Sequence, residues 1–132
     1  MKRQYAEGTE VPIGRSRDEI ERVLERFGAT GRLWATDDKR GVVIVAFERG
    51  DRSYKFRIAL PPLRDFQMTP TGRWSRTDEG MRSARDAEIR RRFRSLANYV
   101  KALLDAIETG IVLAEEALMP YQVLTSGETV FE

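Results

Sequence analysis

Val42-Val43-Ile44-Val45-Ala46-Phe47-Glu48-Arg49-Gly50-Asp51-Arg52-Ser53-Tyr54-Lys55-Phe56-Arg57-Ile58-Ala59-Leu60 is the stretch on which the fold turns. It reads as two strands joined by a tight turn. The second half alternates: Tyr54, Phe56, Ile58 and Leu60 point one way, and Lys55 and Arg57 the other, which is the period of a strand with one buried face. Gly50-Asp51 supplies the turn between them. The first half, Val42 to Phe47, has no polar position, so it is predicted to be a central strand covered on both sides. Pro61-Pro62 closes the stretch, because proline has no N–H to give to a ladder.

Working backwards, Asp37-Asp38-Lys39-Arg40-Gly41 reads as a turn, and Thr30 to Thr36 as a weakly patterned first strand. Before it, Ile20, Val23, Leu24 and Phe27 recur at helical spacing. Ser16 and Glu19 have the spacing of a capping box, and Gly28 stands where a left-handed cap belongs. A helix is therefore predicted from Ser16, preceded by an irregular arm over residues 1–14. Working forwards, residues 61–82 form a long connection, of the kind that in compact domains carries function or moves. A long helix follows from Ser83 to Thr109, its stripe made by Ile89, Phe93, Leu96, Val100, Leu103, Leu104 and Ile107. A short helix, Val112 to Leu118, precedes Pro120, and residues 120–132 read as a hairpin or tail turning at Ser126-Gly127. The expectation is one α+β domain over residues 1–132, in the order α-β-β-β-α-α: a three-stranded antiparallel sheet, with an extra C-terminal hairpin left open, against an N-terminal and a long C-terminal helix.

Composition narrows the function. The 132 residues suit one core, and 41% hydrophobic with 33% charged residues describes a globular chain. With no Cys there is no disulfide and no thiolate metal site, and with no His the commonest general base is missing. Neither a Ser-His nor a Cys-His nucleophile can be assembled. No apolar run reaches the roughly 18 residues of a membrane span, and the polar start, Met1 to Glu10, lacks the apolar centre of a signal peptide. A cytoplasmic setting is expected. The net charge of +2 is unevenly spread: the last 31 residues contain no Lys or Arg, and the basic residues lie before them. Such segregation points to a polyanion partner.

Three places offer contacts. On the strands, Arg32 and Trp34 share one side of the first, and Lys55 and Arg57 one side of the third; if those sides coincide, rings and cations combine as in sheets that stack single-stranded bases. The competing reading puts Trp34 in the core with the cations as its rim. In the long connection, Thr69-Pro70-Thr71-Gly72-Arg73-Trp74-Ser75-Arg76 joins hydroxyls, a glycine, two arginines and an indole, although it lacks Walker A spacing. In the long helix, Arg90-Arg91-Arg92-Phe93-Arg94 must turn Phe93 inward and fan arginines outward. Asp86 and Glu88 are spaced to pair with Arg90 and Arg92, which leaves Arg85, Arg91 and Arg94 without a helical partner. Asp37-Asp38-Lys39 contains a nuclease-like D-x-K triplet, but in a turn and without an upstream acidic partner, so a metal-dependent nuclease is the weaker reading. No cofactor or metal is expected.

The capped helix Ser16-Arg17-Asp18-Glu19-Ile20-Glu21 ending at Phe27-Gly28-Ala29, the Thr69-Pro70-Thr71-Gly72-Arg73 loop, the arginine-rich helix running to Gly110-Ile111, and the tail from Val123-Leu124 to Thr129-Val130 together resemble a family of small uncharacterised proteins of tailed bacteriophages and prophages. The resemblance implies a phage or prophage origin and a host-cytoplasmic setting; it transfers no site. The expected function is non-enzymatic nucleic-acid binding, of single-stranded DNA, accessory to phage replication or recombination. The expected contacts are Arg32, Trp34, Lys55, Arg57, Arg73, Trp74, Arg76, Arg91 and Arg94. The rival is a protein-interaction module that inhibits or adapts a host or phage enzyme. Exposed strand edges also leave a homo-oligomer open.

Overall fold

The computed structural model describes residues 11–132. Helix α1 (Ile13–Arg26) leads into strands β1 (Gly31–Asp37), β2 (Val42–Arg49) and β3 (Arg52–Ala59). The long helix α2 (Asp78–Glu108) and the short α3 (Ala114–Leu118) follow. The strands form one antiparallel sheet in the order β1-β2-β3. The α+β class and the element order are those expected from the sequence. Residues 1–10 of the predicted arm lie outside the described residues, and its end is already helical. Pro12, with extended backbone, is the cap residue of α1.

Ser16 is therefore not a cap. It lies one turn inside α1, fully buried, with its hydroxyl unpartnered. A helix N-terminus at Ser16 would have made its replacement by alanine costly, by about 1 kcal/mol. Inside the helix the sign reverses: Ser16→Ala removes a buried hydroxyl with no partner and adds the better helix former. Urea denaturation is expected to show Ser16→Ala at least as stable as the parent, and a loss of 1 kcal/mol or more would return the cap to Ser16.

The register decides the faces. Val45 pairs with Trp34 on one side and Phe56 on the other, and Phe47 with Arg32 and Tyr54; Val43 pairs with Thr36 and Ile58. These rows form the inner face, on which both long helices lie. Ile20, Val23, Leu24 and Phe27 of α1 meet Val45, Phe47, Tyr54 and Phe56, along with Ala97, Val100 and Leu104 of α2 and Leu118 of α3. A second cluster, Val43, Ile58, Ile89 and Phe93, continues the core toward the Gly41 end; Trp34 and Leu96 pack against both clusters, so there is one core.

The prediction that β2 is covered on both sides is corrected. Val43, Val45 and Phe47 are buried, but Val42, Ile44 and Ala46 on the outer face are only half-buried. Among the described residues no helix covers that face, and Glu132 of the C-terminal tail reaches it to pair with Lys55 and Arg57. The C-terminal segment lies along the β3 edge instead: Tyr54 bridges Gln122, and the Val123 N–H donates to the Ser53 carbonyl at 2.8 Å. The C-terminal hairpin is present in reduced form, as one bridge between Val123 and Thr129 around Gly127, whose φ is +89°.

Helix α2 begins at Asp78 rather than Ser83, with the Thr77 hydroxyl accepting from the Gly80 N–H at 3.0 Å. Its 31 residues run about 46 Å at 1.5 Å each, against about 27 Å for an eight-residue strand. Ile89 and Phe93 already meet the last rows of the sheet. Residues 78–88 therefore overhang it, tied down by Arg85 Nε donating to the Pro61 carbonyl at 2.8 Å.

Candidate nucleic-acid interface

The sheet does not bring its predicted contacts together. Arg32 and Trp34 are on the inner face, whereas Lys55 and Arg57 are on the outer one. Glu21 of α1 collects the first pair, accepting from Arg32 Nε and Trp34 Nε1, each at 2.6 Å. The Trp34 ring stacks on Phe93, 6.3 Å between centroids, and the Arg17 guanidinium sits 4.4 Å from its centre. Trp34 is thus half-buried and clamps α1 and α2 to the sheet. Burial pushes the Glu21 carboxyl up, but the hydrogen bonds from Arg32 and Trp34 and the guanidinium charges outweigh it and hold the group below its ordinary value. On the other face Glu132 takes both cations, with Arg57 Nη1 at 2.6 Å and Lys55 Nζ at 3.7 Å, and Lys55 also donates to the Gly127 carbonyl. Part of the acidic C-terminal third therefore neutralises part of the predicted basic surface.

The helix arginines are also partnered. Arg91 and Arg92 converge on Glu88, at 2.7 and 2.9 Å, and these bonds outweigh burial to hold the Glu88 carboxyl low. Arg94 pairs with Glu19 of α1. The expectation that Arg91 lacks a partner at helical spacing is corrected, since Glu88 stands three residues back; Arg94 pairs instead with a residue of another helix. Arg85, the third of that set, is held by the Pro61 carbonyl. The expected Asp86–Arg90 pair does not form among the described residues.

The loop keeps its promise as an exposed surface. Residues 67–76 make a miniature hairpin. Met68 bridges Ser75, the Thr69 N–H donates to the Trp74 carbonyl at 2.9 Å, and the Arg76 N–H donates to the Gln67 carbonyl at 2.8 Å. Gly72 takes the φ of +72° that the turn needs. Arg76 Nη1 donates to the Phe66 and Met68 carbonyls and so fastens the loop rather than reaching outward. Arg73 is exposed, and Trp74 is 66% exposed on this hydrogen-bonded loop.

This loop stands beside the overhang of α2, at the end of the sheet that also holds the β1–β2 turn and the start of α1. Lys39, Arg64, Arg73, Arg82 and Arg90 all belong to this end, and none has an ion pair with a carboxylate among the described residues. Asp65, Asp78, Glu79 and Asp86 share it, and the first-turn Asp78 and Glu79 face the α2 dipole themselves. The opposite end carries Asp105, Glu108, Glu115 and Glu116, with Arg49 and Arg52 of the β2–β3 turn beside Glu115. Sequence reading missed Lys39, Arg64 and Arg82 because they lie in three separate segments that only the fold joins. It set Arg90 aside for Asp86.

Asp37 Oδ1 accepts from the Lys39 and Arg40 N–H groups, at 3.1 Å each, so the D-x-K triplet shapes its own turn. Among the described residues no three Asp or Glu side chains gather as a metal site would require, and no helix is long and apolar enough to cross a membrane. Compared with family models, with curated proteins and with solved structures, the chain finds no match in any of the three.

Proposed function

We propose that this chain is a non-enzymatic nucleic-acid-binding protein that takes single-stranded DNA on its basic end, in the phage replication or recombination setting that the sequence resemblance implies. The observation that supports the reading is the exposed Arg73–Trp74 pair on its hydrogen-bonded loop, at the end of the molecule that also carries Arg64, Arg82 and Arg90, none of them paired with a carboxylate among the described residues. A flat indole offers a face to any base, and guanidinium forks hold the phosphates on either side. The predicted contacts reduce to Arg73 and Trp74. Arg32, Trp34, Lys55, Arg57, Arg76, Arg91 and Arg94 serve instead as internal ties.

Fluorescence anisotropy with labelled single- and double-stranded oligonucleotides over a salt series tests this. Affinity is expected to fall linearly in log–log form, and each phosphate contact removed should lower the slope by about 0.7 on single strands. Arg82→Ala with Arg90→Ala is expected to flatten it by roughly 1.4 with the fold intact. Affinity that is absent, or indifferent to salt, would contradict the proposal, and preference for the duplex would overturn its single-strand part.

One observation favours the second reading, a protein-interaction module. Ile111, Leu113 and Met119 are 77%, 65% and 52% exposed beside Glu115 and Glu116, an apolar and acidic surface suited to a basic partner protein. Capture from nuclease-treated host lysate that is lost with Leu113→Lys would support it over the nucleic-acid reading.

A further inference from the structure

The two edges of the sheet are treated differently. The β3 edge is occupied by the C-terminal segment through the Tyr54–Gln122 bridge and the Val123 N–H bond to Ser53. Nothing among the described residues pairs with the outer edge of β1. An open edge presents a row of free N–H and C=O groups, and monomeric proteins blunt it with proline, a bulge or a lysine aimed outward along the strand. β1 has no proline, bulge or lysine, and its inward-pointing Arg32 is turned to Glu21 of its own chain. Its seven residues pair with β2 without a break in register, and it contains no proline. Its outer-face residues are Gly31, Leu33, Ala35 and Asp37, of which only the last is charged, and Leu33 is 63% exposed. The apolar surface continues inward through Ala46, Ile44 and Val42, half-buried and without a helix over them.

We infer that β1 pairs antiparallel with β1 of a second copy about a two-fold axis near the middle of the strand. The result would be one six-stranded sheet, three strands from each copy. The strand is its own complement. Its start carries the cation Arg32, which Glu21 of its own chain holds, and its end the anion Asp37, so the two-fold brings each charged end toward the partner's oppositely charged end. No like charges stand opposite one another, the arrangement in which cross-strand pairs stabilise a sheet. Leu33 comes beside the partner's Ala35 on the outer face. A parallel partner strand would instead stack Arg32 on Arg32 and Asp37 on Asp37. The inference does not rest on the nucleic-acid reading, because the basic end is formed by the loop and α2, and a two-fold at β1 leaves one such end on each copy.

Light scattering coupled to size exclusion should give the parent a mass of twice the 15.2 kDa chain, and the double variant Leu33→Lys, Ala35→Lys the mass of one chain with an unchanged circular dichroism spectrum. Hydrogen exchange on the parent supplies a test that needs no variant: alternate β1 amides should be protected, and should lose that protection on dilution to the monomer. A parent that is monomeric throughout the dilution series would overturn the inference. So would a dimer in which the β1 amides exchange freely, which would mean that the copies meet by another surface.

Discussion

Phe47→Ala is expected to remove about 3–5 kcal/mol of folding stability, a large share of the roughly 5–15 kcal/mol that holds a domain of this size together. Phe47 is 1% exposed at the centre of the inner face. Its ring stacks on Tyr54 and Phe56, with centroids 5.3 and 5.8 Å away, and α1 closes over it. Truncation leaves a void bounded by three elements that cannot close up independently. Leu33 is the control, on the outer face of the neighbouring strand and 63% exposed; at dilutions where the chain is monomeric, Leu33→Ala should change stability by less than about 0.5 kcal/mol. Urea denaturation followed by circular dichroism reads both, with the midpoint moving and the slope unchanged. Equal losses at Phe47 and Leu33 would show that the two faces of the sheet have been assigned wrongly.

The second large effect concerns the indoles, which the account separates. Trp74→Ala should weaken single-stranded DNA binding by about 1–3 kcal/mol, the contribution of one stacked base, which is roughly a 5- to 150-fold rise in Kd. Stability should barely move, since the Trp74 side chain is exposed and the loop is held by backbone bonds and Arg76. Trp34→Ala should do the reverse. It removes the hydrogen bond to Glu21, the stacking on Phe93 and the Arg17 contact, so stability falls while the basic end remains. If Trp34→Ala lost affinity without losing stability, the interface would have to be moved back to the sheet.

Much of the fold was legible because its signals are local. The alternation through Tyr54, Phe56 and Ile58, the turn at Gly50-Asp51 and the stripes of both helices each follow from spacing within one element. The errors arose where a local pattern had two meanings. Ser16 and Glu19 fit a capping box, but Pro12 starts the helix a turn earlier and leaves Ser16 inside it. The run from Val42 to Phe47 reads as covered on both sides, yet Val42, Ile44 and Ala46 are simply an apolar outer face. The site was harder to read, for an electrostatic reason. Whether an arginine is free depends on carboxylates distant in sequence: Glu19 lies 75 residues from Arg94, and Glu132 lies as far from Arg57 and Lys55. No helical spacing rule reaches that far. The loop at Thr69–Arg76 was recognisable because its turn chemistry and its exposed side chains are contiguous.

The central claim is that nucleic acid is held at the Arg73–Trp74 end. Trp34→Phe leaves Trp74 as the one remaining indole of the two in the chain, so its fluorescence reports on that loop alone. Titrating this variant with single-stranded oligonucleotide at low salt should quench the emission and shield Trp74 from iodide, and added salt should reverse both. Trp74 emission and iodide access that stay unchanged at oligonucleotide concentrations saturating the anisotropy signal would contradict the account.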